Sequence, residues 1–227
     1  MKQVKIPTLF INFKNYAEGR SAKGMDLARA AEAAARATGA SVVVAPPTVM
    51  LSEVASSIVL PVFAQHVDPV DEESSTGFVT PASLAEVGCY GSILNHSEHR
   101  LPQSDVFRAV NMLKECGLLS LVCARDPAEA GALARLDPDF IAVEPPELIG
   151  KGRAVSKVSP EVVVRAVEEI DRVNPRTIPL CGAGIVDPAD VTESIRLGAR
   201  GVLVSSSIVK NMNRYEKIYD LCRALTV

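Results

Sequence analysis

The sequence predicts an α/β protein in which eight parallel strands alternate with helices and close into a (β/α)8 barrel. Three observations carry this. Short, almost uninterrupted apolar runs, eight in number, recur along the chain, which is the composition of parallel strands covered on both faces. Segments with apolar residues at helical spacing lie between them. No G-x-G-x-x-G follows the first strand, as a dinucleotide-binding open sheet usually shows; Gly150-Lys151-Gly152 and Gly182-Ala183-Gly184 are only fragments of such a motif. A doubly wound open sheet is the alternative that the same alternation permits, and the strand count favours the barrel.

Taken in order, the first strand is expected at 9–13, followed by an Ala-rich helix at 27–37. The second strand is expected at 42–45, a short helix at 47–56 and the third strand at 61–65. The acidic, Ser-rich stretch 68–77 reads as a long loop, leading to a short helix at 81–86 and the fourth strand at 92–95. Val106, Val110 and Leu113 then fall at i, i+4 and i+7 behind the start signal Ser104-Asp105. The fifth strand is expected at 119–123, with Asp126-Pro127 opening the next helix. After the sixth strand, 140–144, Ser159-Pro160 precedes Val163, Ala166, Val167 and Ile170 at i, i+3, i+4 and i+7. The seventh strand (177–181), the start signal Asp187-Pro188, the eighth strand (202–205) and the periodic set Ile218, Leu221, Cys222 and Leu225 complete the chain. With 227 residues and no composition shift or linker, one domain over 1–227 is expected.

Composition excludes several classes of function. Net charge is −3 with both signs interspersed, so there is no basic stripe for a nucleic-acid backbone. The apolar runs fall far short of the roughly 18 residues needed to cross a bilayer. The start, Met1-Lys2-Gln3-Val4-Lys5, lacks the apolar core of a signal peptide. A cytoplasmic protein without membrane contact is expected. Five cysteines, odd in number and without C-x-x-C spacing, read as reduced thiols, and the three histidines lack zinc-site spacing. No metal is expected.

A barrel places its chemistry where strands run into the following helices, and polar residues gather at those ends here. Strand one runs into Asn12 and Lys14, two apart and so on one side of an extended chain. Strand four ends in Asn95-His96-Ser97-Glu98, and strand six delivers Glu144 into Pro145-Pro146. A carboxylate after the apolar run Phe140-Ile141-Ala142-Val143 is costly unless used or paired, and burial there makes it a better general base. A structural ion pair is the other reading. The stretch 145–152, with prolines and glycines around an apolar tip, reads as a lid with stiff ends. His96 is expected to open a helix, whose positive end would keep the imidazole neutral and able to polarise a carbonyl; an ordinary hydrogen-bonded histidine is the alternative. Lys14 reads either as a cation at the mouth or as a solvated loop lysine. The glycine turn at Gly184 and the serine turn at Ser205-Ser206 expose backbone N–H groups of the kind that bind phosphate, or they are simply tight turns.

Four of these pieces stand together in register: Asn12-Phe13-Lys14, Leu94-Asn95-His96-Ser97-Glu98, Val143-Glu144-Pro145 with Ile149-Gly150-x-Gly152, and Thr76-Gly77. Their order and spacing resemble the triosephosphate isomerase family over nearly the whole chain. The lid variant and the Asn before His96 resemble its shorter archaeal branch. The resemblance implies proton transfer between the two carbons of a triose phosphate, with Glu144 as base, His96 as neutral electrophile and Lys14 as positive charge. It implies substrate contact by Asn12, support from beneath by Glu98, and phosphate held by amides near Ile149, Gly150, Gly184, Ser205 and Ser206. It implies no cofactor. It also implies a homo-oligomer, a dimer at least and with a tetramer compatible, assembled through the loop of Thr76 and Gly77.

The chain departs from the commoner family pattern at Gly184 (serine), Cys181 (tyrosine), Ser205-Ser206 (Gly-Gly), Lys151 (a small residue) and His99 (arginine). Two rival readings remain. Another phosphate-binding barrel enzyme would carry a different lysine or carboxylate pair at the mouth, and a catalytically silent barrel would bind sugar phosphate without turning it over.

Overall fold

Eight strands, all parallel, form one sheet in the order β2-β1-β8-β7-β6-β5-β4-β3. The computed structural model describes residues 2–70, 74–145 and 159–225. The strands are β1 (Thr8–Asn12), β2 (Ser41–Ala45), β3 (Phe63–Ala64), β4 (Gly91–Leu94), β5 (Leu119–Ala124), β6 (Phe140–Val143), β7 (Ile178–Cys181) and β8 (Gly201–Val204). The helices between and after them are α1 (Ser21–Thr38), α2 (Leu51–Ser57), α3 (Pro81–Glu86), α4 (Gln103–Glu115), α5 (Pro127–Ala134), α6 (Pro160–Val173), α7 (Pro188–Arg196), α8 (Ser206–Val209) and α9 (Arg214–Leu225). The ends of the sheet meet through a single bridge between Val44 and Val62, where the Val44 N–H donates to the Pro61 carbonyl at 3.1 Å. That bridge turns the sheet into the expected barrel.

Side-chain alternation divides the core in two, as strand geometry requires. Phe10, Val43, Phe63, Ile93, Leu121, Phe140, Leu180 and Leu203, one from each strand, form a cluster with no helical member. They fill the barrel lumen, where Phe10 meets Phe63 and Phe140 edge-on with ring centroids 5.2 and 5.3 Å apart. Their chain neighbours, such as Leu9, Ile11, Val42 and Val44, face outward and share one continuous cluster with helical residues such as Leu27, Ala31, Val106 and Val163. Gly91 allows the lumen to close: a Cβ there would lie 2.1 Å from the Leu119 carbonyl oxygen and 2.8 Å from the Phe63 ring.

Several boundaries differ from the sequence expectation for local reasons. The third strand shrinks from 61–65 to Phe63–Ala64. Pro61 has no N–H to give a ladder, and Gln65 turns its side chain back to the Lys14 and Ala45 carbonyls at 3.1 and 3.0 Å. The first helix starts at Ser21 and is stopped by Gly39 in the left-handed region (φ 73). The segment 47–56 divides into a 3-10 turn, Thr48–Met50, and α2. Asp126 and Asp187 cap α5 and α7 by accepting from the N–H groups of Glu129 and Asp190. Among the described residues no helix is long and apolar enough to cross a membrane. No disulfide joins the five cysteines, and Cys89, Cys123, Cys181 and Cys222 are buried.

Candidate active site

The carboxyl ends of the strands enclose a cavity of about 290 Å³. Asn12, Lys14, His96 and Glu144 line it together with Gly184, Ser205 and Ser206.

Asn12 is the last residue of β1, buried, and its side-chain oxygen accepts the Lys14 N–H at 2.9 Å. That short turn holds Lys14 at φ 49, a left-handed conformation that costs a residue with a Cβ of order 1–2 kcal/mol. The Gln65 amide grips the Lys14 carbonyl from the next strand but one. The Lys14 ammonium is thereby aimed inward and meets Glu98 Oε1 at 2.8 Å. Glu98 does not lie beneath the site: its side chain is 60% exposed, which places it at the rim, where the ion pair adds little to stability.

His96 follows β4 and is buried, but it does not open a helix. The chain makes a turn closed by the His99 N–H donating to the His96 carbonyl at 2.8 Å, and α4 begins only at Gln103, after Pro102. The helix-end argument for a neutral ring therefore gives way to a local one. His96 Nδ1 accepts the Glu98 N–H at 3.1 Å; a ring nitrogen that accepts carries no proton, which leaves Nε2–H as the donor facing the cavity.

Glu144 is the first residue beyond β6 and is 4% exposed. Its N–H donates to the Ala124 carbonyl at 2.7 Å, and its Oε1 stands 3.6 Å from His96 Nε2. Oε2 has no hydrogen-bond partner among the described residues. Burial pushes the Glu144 carboxyl up from the ordinary carboxylate range; the His96 ring facing it, the neighbouring Cys123 thiol and the charges of Lys14 and Arg100 oppose the shift without cancelling it. A carboxylate desolvated in this way, with one oxygen unengaged, is a strong proton acceptor. Gly182 makes room for it, since a Cβ there would fall 2.5 Å from Glu144 Cγ.

At the ends of β7 and β8 Gly184 takes φ 73, and Ser205 leads into α8. Ser207 Oγ donates to the Ile185 carbonyl at 2.8 Å, tying the turn after β8 to the turn after β7. Ile149 and Gly150, with the rest of the expected lid from Pro146 onward, lie outside the described residues. Thr76 and Gly77 are exposed, Gly77 at φ 86, and neither lines this cavity.

Sequence reasoning missed three features of the site. Tyr16 forms part of the wall, with the Lys210 ammonium 4.2 Å from its ring centroid. Cys123, buried near the end of β5, is among the groups that act on the Glu144 carboxyl; a thiol at the end of an apolar strand carries no sequence signal for that. Beside Lys14, His66 and His99 stack with centroids 4.0 Å apart, and His66 Nε2 is 3.1 Å from Asp68 Oδ1. Burial, together with the neighbouring His99, lowers the His66 pKa against the opposing pull of Asp68. Among the described residues no group of three or more His, Cys, Asp and Glu is arranged to hold a metal ion.

A closed barrel with a buried carboxylate facing an imidazole N–H, and a lysine alongside, is an acid–base enzyme of the (β/α)8 class. The triosephosphate isomerase family model matches residues 7–224. The chain is 44% identical to the triosephosphate isomerase of Caldivirga maquilingensis over 98% of its own length and 99% of the relative's. It is 45% identical to that of Pyrobaculum calidifontis, over 98% and 97% respectively, and 40% identical to that of Methanosarcina barkeri, over 97% and 99%. The chain belongs to the triosephosphate isomerase family.

Proposed function

We propose that this chain interconverts glyceraldehyde 3-phosphate and dihydroxyacetone phosphate by proton transfer through an enediolate. The observation that carries the reading is the 3.6 Å approach of Glu144 Oε1 and His96 Nε2 across one cavity. Glu144 removes a proton from the carbon beside the carbonyl and returns it to the neighbouring carbon. His96 Nε2–H polarises the carbonyl oxygen, and the Lys14 ammonium stabilises the negative charge that builds there. Asn12 contacts the substrate, while Glu98 steadies the Lys14 ammonium from the rim. The backbone amides at Gly184, Ser205 and Ser206, with those of Ile149 and Gly150, hold the phosphate. Proton transfer with electrostatic stabilisation is the whole of this chemistry, so the mechanism uses no cofactor.

The reading extends to the assembly. The chain acts as one barrel domain over residues 1–227, in the cytoplasm, as a homo-oligomer. The loop carrying Thr76 and Gly77 reaches a second copy beside Asn12 and Lys14, giving a dimer at least, with a tetramer as the further state. Support for the contact is the exposure of Thr76, Gly77 and the half-exposed Phe78.

Isomerisation of glyceraldehyde 3-phosphate by chelator-treated protein, with Glu144→Gln in parallel, tests the function. Turnover that disappears in the variant supports the reaction and the base together. Binding of 2-phosphoglycolate without turnover by the unaltered chain would refute it in favour of a silent barrel.

A further inference from the structure

We infer that Asn95 is a positioning residue for the acid–base pair, an assignment that rests on the isomerase reading of His96 and Glu144. Asn95 sits where β4 gives way to the His96 turn, with its backbone at φ 57. Asparagine adopts this region more readily than most side chains, but glycine would take it with no steric cost. Conformational tolerance alone therefore does not account for a side chain here.

Both ends of its amide are engaged. Nδ2 donates to the Cys123 carbonyl at 2.9 Å, and Oδ1 accepts the Leu101 N–H at 3.0 Å. The residue is 4% exposed, so water is poorly placed to replace either bond. Arg100 completes the clamp: its guanidinium donates to the carbonyl of Asn95 itself at 3.1 Å and reaches the Cys123 carbonyl at 3.5 Å. The turn that carries His96 is thus fastened to the end of β5 rather than left to its own geometry.

The same strand end holds Glu144. The Ala124 carbonyl receives the Glu144 N–H at 2.7 Å. Residues 123 and 124 therefore serve as a common datum from which both His96 and Glu144 are set. Removing the Asn95 amide keeps the tie to Glu144 and leaves the clamp on the His96 turn to the Arg100 contacts, so the spacing between the two loses one of its fixed points.

Asn95→Gly removes both side-chain bonds without backbone strain, and Asn95→Asp keeps the acceptor for Leu101 while losing the donor to Cys123. Turnover of glyceraldehyde 3-phosphate by the unaltered protein is measured first, which tests the isomerase reading separately. In each variant kcat and KM are then measured per site counted by 2-phosphoglycolate titration, and the ¹⁵N shifts of the His96 ring are recorded. A misplacement of about an ångström costs on the order of a hundredfold in rate. The expected result is a fall in kcat of about tenfold to a hundredfold with KM changed less than about threefold, together with displaced His96 ring shifts. A lower melting temperature with unaltered kcat per site and unaltered ring shifts would reduce Asn95 to a structural residue and overturn the assignment. If Asn95→Gly does not fold, Asn95→Asp is judged by the same two outcomes. Absence of turnover in the unaltered protein would sink the isomerase reading, while the ring shifts would still report whether Asn95 sets His96.

Discussion

Placing a single methyl group at residue 182 displaces the proposed base without touching its chemistry. An alanine Cβ there would lie 2.5 Å from Glu144 Cγ, 3.2 Å from the Val143 carbonyl oxygen and 3.3 Å from Ala142 Cβ. Carbon atoms in contact prefer at least about 3.5 Å, so the first distance is short by about 1 Å. The β6 backbone is fixed by its ladders to β5 and β7, which leaves the Glu144 side chain as the part that gives way. A reacting group misplaced by about 1 Å loses on the order of a hundredfold in rate, or about 2.7 kcal/mol of barrier. Gly182→Ala is therefore expected to lower kcat by about that factor while KM, set largely by the phosphate end, changes little. Steady-state kinetics in both directions, with circular dichroism to verify folding, measures this. A folded Gly182→Ala enzyme with the unaltered kcat would refute the claim that Glu144 must occupy its present position.

The buried carboxylate also has a cost that shows in stability. A group whose pKa is raised by folding holds more protons in the folded state than in the unfolded chain, so stability falls as pH rises. The fall starts near the ordinary glutamate value of about 4.3 and is complete above the raised value. Glu144→Gln should accordingly melt higher than the unaltered protein at neutral pH, with the gap closing toward pH 4; a gap that widens on acidification would contradict the burial argument. At the opposite end of the barrel, Gly91→Ala should push its Cβ into the Leu119 carbonyl, 2.1 Å away. Overpacking of this kind costs about 1–3 kcal/mol, so calorimetry should find Tm lower by at least about 2 °C.

Much of the fold was legible in the sequence because parallel barrel strands leave a plain signature. They are covered on both sides, so each reads as an apolar run, and Asp-Pro pairs announce α5 and α7 without tertiary help. Legibility failed where a side chain overrode the backbone. Gln65 looks like the end of a strand, yet β3 stops at Ala64 and the Gln65 side-chain amide donates to the Lys14 carbonyl instead. His96 looks like a helix start because polar residues follow a strand, but Pro102 delays α4 and the ring is governed by the Glu98 N–H.

At the site, chemical type and strand-end position were enough to nominate Asn12, Lys14, His96 and Glu144, which the fold brings to one cavity. Position along the strand could not disclose which neighbours tune them. The thiol of Cys123 and the space left by Gly182 come from β5 and β7, on either side of β6, and cross-strand proximity is not written in any local pattern.

The left-handed backbone of Lys14 sets a trap for anyone redesigning this chain. Scored on backbone geometry alone, residue 14 calls for glycine or asparagine, and a stability-guided library would offer either as an improvement. Such a replacement would discard the ammonium that the strained turn exists to present. Position 14 belongs among the residues to be frozen before any thermostabilising search begins, with gains sought instead on the outer helical faces far from the cavity.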